Sequence, residues 1–188
     1  MNPPTHHQTS QPGEAGTPIE PEAGTHPVSS TVTLTPLQQD EPRYKWQTKL
    51  TANPGAGPNA RLRVRTRLTV ANWAGNIDAA SRVADKLVDN AIRHAKPFGS
   101  GEGWIELRLT VKPETDDLLI EVDDALSEFA NFEAAAAVID IKGTPSGLWW
   151  VHHYKGTLSW DVKRDTAQAI VGKTVQALIP ASWGEESV

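Results

Sequence analysis

Residues 80 to 95 carry apolar side chains at spacings of three and four, which is the period of an amphipathic helix. The apolar positions are Ala80, Val83, Ala84, Leu87, Val88, Ala91, Ile92 and Ala95. Beside this face, Lys86, Asn90 and His94 follow at intervals of four residues and form a polar line. Asp78 is a suitable N-cap, and Pro97 follows the end of the helix. The polar line is either a solvated stripe or a set of ligand-facing side chains, and the helix alone favours the stripe.

The rest of the chain alternates between strand patterns and helix patterns. Strands are predicted at residues 46–50, 104–111, 118–122, 157–162 and 173–179, and short helices within 129–141 and 147–154. The second and third strands are joined by a turn that contains Pro113, and we expect them to form an antiparallel hairpin. These elements predict an α/β fold, a two-layer sandwich with a mixed or antiparallel sheet and helices on one face.

Residues 59–73 fit two different patterns. Apolar residues from Leu62 to Val70 stand at even spacings, and β-branched residues are frequent, which is typical of a strand. On a helix, Val64 and Leu68 would fall on one face together with an alanine at either end. The local pattern therefore leaves both a strand and a helix open.

Composition separates a tail from a domain. Residues 1–42 contain no Lys, Arg or aromatic residue and are rich in Pro, Thr, Ser, Gly and Glu, so we expect a disordered tail. The tail carries five acids, which equals the net charge of −5, and the remaining residues hold 18 acids and 18 bases. We expect one domain at residues 43–182 and a short C-terminal tail at 183–188. A neutral domain argues against nucleic-acid binding.

Four short motifs occur in one order along the chain. Residues 86–95 read Lys-Leu-Val-Asp-Asn-Ala-Ile-Arg-His-Ala, 118–124 read Leu-Leu-Ile-Glu-Val-Asp-Asp, 146–151 read Ser-Gly-Leu-Trp-Trp-Val, and 172–175 read Gly-Lys-Thr-Val. Together they resemble the motifs of the histidine-kinase-like (GHKL, Bergerat-fold) ATPases, whose asparagine helix reads Glu-Leu-Val-x-Asn-Ala-x-x-His-Ala. The subgroup with the greatest resemblance is the soluble anti-sigma-factor serine-kinase-like regulators. The family has a helix at residues 59–73, which favours the helical interpretation there.

The resemblance implies an ATP site with Mg²⁺. Asn90 would hold the magnesium ion that bridges the nucleotide phosphates, since a hard cation prefers oxygen ligands and keeps several waters. Asp124 would accept a hydrogen bond from the adenine amino group. Strand parity favours Asp124 over Asp123, because Ile120 and Val122 lie on the same face as Asp124. The alternative is that both acids are solvated loop residues.

The remaining implied site residues lie towards the C-terminus. Ser146, Gly147 and Leu148 correspond to the second half of a Gly-x-Gly-Leu box, and the backbone there would contact phosphate. Thr174 corresponds to a threonine of the last strand, near the adenine. It is otherwise an ordinary strand residue.

Three positions depart from the family pattern. Lys86 replaces the glutamate that acts as general base, and a protonated lysine cannot accept a proton. Leu126 and Pro145 replace glycines of the phosphate-handling segments. The expected lid, residues 125–142, contains no glycine. These losses predict weak or non-catalytic ATP binding, and we expect no catalytic residue.

The implied function is an ATP-binding regulatory protein of the anti-sigma or partner-switching type. One alternative is an active protein serine/threonine kinase of the same group, and another is a pseudo-ATPase interaction module that binds no nucleotide. The expected partners are an adenine nucleotide and a regulatory protein, and a homodimer is compatible with this interpretation. No apolar run is long enough to span a bilayer, and there is no cysteine, so we expect a cytoplasmic protein with no membrane partner.

Overall fold

The computed structural model describes residues 41–100, 103–130, 132–136 and 147–182. The elements in chain order are β1 (Tyr44–Thr51), α1 (Ala56–Val70), α2 (Ile77–His94), β2 (Trp104–Val111), β3 (Leu118–Asp124), α3 (Phe132–Ala136), α4 (Trp149–His153), β4 (Thr157–Arg164) and β5 (Ile170–Ile179). Each predicted strand and helix has a counterpart among these elements. Residues 1–40 of the predicted N-terminal tail, the predicted C-terminal tail, residues 137–142 of the expected lid, Pro145 and Ser146 lie outside the described residues.

The five strands form one antiparallel sheet in the order β1-β2-β3-β5-β4. The predicted hairpin of β2 and β3 is confirmed, with Leu109 opposite Ile120 and Leu107 opposite Val122. The last strand, β5, is inserted between β3 and β4, so Asp124 on β3 lies opposite Lys173 on β5. The α/β class predicted from the sequence is therefore confirmed.

One face of the sheet is apolar and packs against helices α1 and α2. Along β2, Ile105, Leu107, Leu109 and Val111 are buried, whereas the intervening residues are only half-buried. Helix α2 packs onto this face through the predicted apolar positions, of which all but Ile92 and Ala95 are fully buried. This alternation with a period of two in the strands and about 3.6 in the helix produces a single core.

The ambiguous segment at residues 59–73 is helical, from Ala56 to Val70. Val64 and Leu68 are fully buried one turn apart, whereas Leu62 and Val70 are 67 % and 75 % exposed. The two exposed side chains are therefore the ones that produce the strand-like alternation. Packing of the Val64–Leu68 face determines the structure here.

The predicted N-cap of α2 is wrong by two residues. Asn76 is the cap, and its side-chain oxygen accepts a hydrogen bond of 2.9 Å from the backbone N–H of Ala79. Asp78 lies in the first turn instead and forms an ion pair with Arg65 of α1. Asn76 has the extended backbone that a cap requires, so it displaces the later aspartate.

Among the helices described, none is both long and apolar enough to cross a lipid bilayer.

Candidate functional site

A cavity of about 640 Å³ lies beside the polar line of α2. Lys86, Asn90 and His94 all line it, so the line predicted from the sequence is directed at a cavity and is not a simple solvated stripe. Lys86 and Asn90 are half-buried, and neither side chain has a hydrogen-bond or ion-pair partner within the described ranges. Their polar groups are therefore available to a ligand.

Helix α2 also contributes Asp89 and Arg93 to this α2 cavity. Asp89 stands one residue before Asn90, and the cavity extends to this neighbouring helix position. Arg93 Nε donates a hydrogen bond of 2.8 Å to Asp89 Oδ1, so the carboxylate is already engaged. Asp85 does lie away from the cavity, against α1 near Gly57.

The opposite wall comes from three segments that are distant in sequence. The segment after β3 supplies Leu126, Glu128 and Phe129, and residues 147 and 148 precede α4. Strand β5 supplies Lys173. The antiparallel insertion of β5 next to β3 brings Lys173 beside the segment that follows β3.

Lys173 is the buried cation of the cavity wall, with only 2 % of its surface exposed. Its Nζ donates a hydrogen bond of 2.7 Å to Asp124 Oδ1 and a longer one of 3.3 Å to the carbonyl oxygen of Leu126. The Phe129 ring lies 5.7 Å from Nζ. A buried charge is tolerated only when it is paired, and Asp124 provides that pairing.

Asp124 is fully buried at the end of β3, next to the cavity wall. Its Oδ1 accepts hydrogen bonds from Lys173 and from the backbone N–H of Leu126, whereas Oδ2 has no partner among the described residues. Burial raises the pKa of this carboxyl above its usual range, although the hydrogen bonds from Lys173 and Leu126 act in the opposite direction. Asp124 is therefore incompletely satisfied in a water-poor environment.

Gly172 allows the Lys173–Asp124 pair to form. A Cβ at this position would collide with the backbone carbonyl oxygen of Asp124. Only a residue without a side chain lets β5 approach β3 this closely.

Asp123 points to the opposite face of the sheet, away from the helices. It is also fully buried, beneath Arg108, Lys163 and Thr174. Burial alone would raise its pKa, but the hydrogen bonds from Arg108, Lys163 and Thr174 outweigh burial and hold the pKa below its usual range. The alternative that both aspartates are solvated loop acids is wrong.

The structure brings some of the predicted site residues together and separates others. Asn90, Gly147 and Leu148 line the cavity, and Asp124 contacts its wall through Lys173. Thr174 lies on the open face, where its hydroxyl donates a hydrogen bond of 2.8 Å to Asp123 Oδ1. Because neighbouring strand residues face opposite sides, Lys173 rather than Thr174 reaches the cavity.

The segment around Gly147 differs from its expected geometry. Helix α4 begins at Trp149 and has only five residues, so it is too short to provide a strong dipole. A Cβ at Gly147 would have no atom within 4 Å, so the space around it is open. No neighbouring atom therefore requires a glycine at position 147. The predicted close approach of the backbone to a phosphate would arise only when a ligand is bound.

Sequence reasoning missed Lys173 and Glu128 as cavity residues. The signal for Lys173 is its position next to Thr174 in the last-strand motif, on the opposite strand face. Glu128 lies in a segment without a helix or strand pattern, so nothing in the sequence predicts its direction.

No protein-family model matches this chain, and no curated protein is significantly similar to it in sequence.

Proposed function

We propose that the α2 cavity binds ATP or a related nucleotide without hydrolysing it, and that the protein regulates another protein. In this proposal Lys86 contacts the phosphates and the base lies near Lys173 and Asp124. The proposal includes the Bergerat fold and the anti-sigma type of regulation. The volume of the α2 cavity lies within the range that small-molecule pockets occupy.

One observation carries the proposal: Lys86 and Asn90 line the same cavity one helical turn apart, and both are unengaged within the described residues. An ammonium and an amide oxygen in that arrangement suit a phosphate and its counter-ion. The more exposed side chains of Arg93 and His94 extend this side of the cavity towards solvent. The buried end, by contrast, is formed by Leu148, Phe129 and Lys173, which suits a flat ring.

The donors present fit a magnesium ion that depends mainly on the nucleotide. The amide oxygen of Asn90 is available, whereas the nearby carboxylate of Asp89 holds Arg93. Within the described ranges there is no group of three His, Asp or Glu side chains that could hold a metal ion. When bound, Mg²⁺ would neutralise phosphate charge, with Asn90 as a protein ligand and waters completing its shell.

Among the described residues, the cavity wall has no well-placed general base. Lys86 occupies the position where an active member of the resembled family has glutamate, and Asp89 is engaged by Arg93. Glu128 is the remaining carboxylate among the described residues of the wall, and it is exposed. We expect no phosphate release from ATP. If release is observed and is lost in both Asn90→Ala and Glu128→Gln, the kinase alternative replaces the non-catalytic one.

The test is isothermal titration with ATP and MgCl₂, supported by thermal unfolding. ATP at about 100 times its Kd should stabilise the fold by roughly 2.7 kcal/mol. Lys86→Ala should weaken binding by about tenfold or more, because a charge-assisted hydrogen bond to phosphate is lost. Lys112→Ala is the matched control. It removes the same charge from the exposed turn that follows β2, outside the cavity lining.

Two further variants separate the parts of the site. Asn90→Ala should mainly remove the dependence of affinity on Mg²⁺, and Asp124→Asn should weaken adenine nucleotides. Absence of any heat or thermal shift with millimolar ATP or ADP would refute nucleotide binding.

A second candidate function is an interaction module that binds no nucleotide. It is favoured by one observation: Lys173 already donates to Asp124 Oδ1, the carboxylate that the family uses for adenine. Binding of a partner protein that is unaffected by ATP, together with no thermal shift, would support this candidate.

A further inference from the structure

Lys173 is the most deeply buried polar residue of the cavity wall among the described residues, with 2 % of its surface exposed. The same cavity wall contains Phe129, whose ring centre lies 5.7 Å from Nζ, and the buried Leu148. These two apolar side chains suit the faces of a planar base. Any base placed there meets an ammonium group as its first hydrogen-bonding partner.

The ammonium group has one donor to spare. It carries three N–H bonds, and within the described residues it uses two, towards Asp124 Oδ1 and the carbonyl oxygen of Leu126. A donor left unsatisfied in a buried position costs free energy, so a ligand that accepts from it gains. Lys173 can only donate, so the group it contacts must be an acceptor.

Asp124 is less accessible to the ligand than Lys173. It has no exposed surface and does not line the cavity, whereas it holds Lys173 through the 2.7 Å hydrogen bond. Its two hydrogen bonds at Oδ1 fix the ammonium relative to the backbone after β3. Asp124 therefore acts as a positioning residue for Lys173.

We infer that Lys173 reads the base by donating a hydrogen bond to adenine N1, which of the three ring acceptors lies farthest from the sugar and therefore deepest in the cavity when the phosphates lie at Lys86. The inference rests on the proposed nucleotide site and adds a specificity-determining residue to it. It reverses the polarity of base recognition that the resemblance implies, because a protein donor replaces a protein acceptor. The adenine amino group then contributes less to affinity than the ring nitrogen does.

Two ATP analogues separate these contacts. In 1-deaza-ATP the ring nitrogen N1 is replaced by C–H, and the amino group is retained. In purine riboside triphosphate the amino group is absent, and N1 is retained. We expect 1-deaza-ATP to bind about ten- to a hundredfold more weakly than ATP, because the ammonium donor then faces a C–H. Purine riboside triphosphate should bind nearly as well as ATP.

The variant Lys173→Met tests the residue itself. With the donor removed, ATP and 1-deaza-ATP should bind with equal affinity. Lys86→Ala is the matched control, because it should weaken both nucleotides and leave their ratio unchanged. If Lys173→Met does not fold, the comparison of the three nucleotides with the wild-type protein still decides the question.

The outcomes are distinguishable. Equal binding of ATP and 1-deaza-ATP by the wild-type protein would overturn the role of Lys173 and leave nucleotide binding intact. A larger loss with purine riboside triphosphate would assign base recognition to Asp124 instead. Failure of ATP itself to bind would overturn the proposed function, and this inference with it.

Discussion

Asp123 and Asp124 are adjacent, identical and equally buried, yet they lie in opposite environments. Asp123 faces the open side of the sheet and receives hydrogen bonds from Arg108, Lys163 and Thr174. Asp124 faces the helical side and has one cation, Lys173, and one oxygen without a partner in the described part of the chain. The pKa is lowered for Asp123 and raised for Asp124.

The comparison distinguishes a carboxylate whose hydrogen bonds are satisfied within the protein, Asp123, from one that lies beside a cavity able to hold a ligand, Asp124. Around Asp123, two cations and a hydroxyl satisfy the carboxylate, so the cost of burying it is offset within the protein. Around Asp124, the protein leaves an acceptor on the carboxylate and a donor on Lys173 unused. Unused polar groups next to a cavity are where a ligand gains most.

The largest expected effect comes from removing the one cation that is paired with Asp124 among the described residues. Lys173→Met should lower the free energy of unfolding by about 3–5 kcal/mol, because it leaves Asp124 buried without a counter-charge. Lys163→Met on the open side should cost only about 1–2 kcal/mol, since Arg108 and Thr174 still hold Asp123. Urea denaturation of both variants at neutral pH measures the difference.

The double variant Lys173→Met with Asp124→Leu provides the control. Removal of both charges should recover most of the stability lost in Lys173→Met, because no uncompensated carboxylate remains. Equal losses in Lys163→Met and Lys173→Met would contradict the distinction between the two sides of the sheet.

A smaller effect is expected from Thr174→Val. The substitution keeps the β-branched shape and removes the hydroxyl that donates to Asp123, so it should lower the free energy of unfolding by about 1 kcal/mol. Nucleotide affinity should be unchanged, since Thr174 lies on the open face. Titration of the variant with ATP checks this. Weakened binding would contradict it and would favour a position of Thr174 near the adenine, as the resemblance implies.

The smallest expected effect is a difference in pH dependence. A carboxyl with a lowered pKa stabilises the fold above its unfolded value, near 3.8, and this contribution is lost as the pH falls further. A carboxyl with a raised pKa has the opposite sign, because the folded state takes up its proton first as the pH falls towards about 3.8.

Unfolding free energies from pH 7 to pH 3 of the wild type, Asp123→Asn and Asp124→Asn test these signs. The stability advantage of the wild type over Asp123→Asn should shrink below about pH 3.8. Relative to Asp124→Asn, the wild type should gain stability as the pH falls towards that value. Two differences of the same sign would show that the two carboxyls are not distinguished by their surroundings.

The secondary structure could be predicted because it follows from local periodicity. The alternation of Ile105, Leu107, Leu109 and Val111 predicts β2 with its observed ends. Helix α1 needed more than its local pattern, because the exposed Leu62 and Val70 imitate a strand. Only its packing against the core distinguishes the two structures.

The site could be predicted in part. The i, i+4 spacing of Lys86 and Asn90 on one helix predicts that they share a surface, and they share a cavity. The pairing of Lys173 with Asp124 could not be predicted, because 49 residues separate them and the sheet order decides which strands meet. The polarity of the buried end of the cavity depends on that pairing.

Gly172 sets a limit on how this protein can vary. Any side chain there would strike the Asp124 carbonyl and push the two strands apart, and the distance between the buried charges would grow with it. A mutational scan should therefore tolerate many changes at the exposed Leu126 and Glu128, on the rim of the cavity, and almost none at position 172. Directed evolution towards a different ligand should therefore act through substitutions at the rim, whereas the spacing of Lys173 and Asp124 should stay the same in every variant.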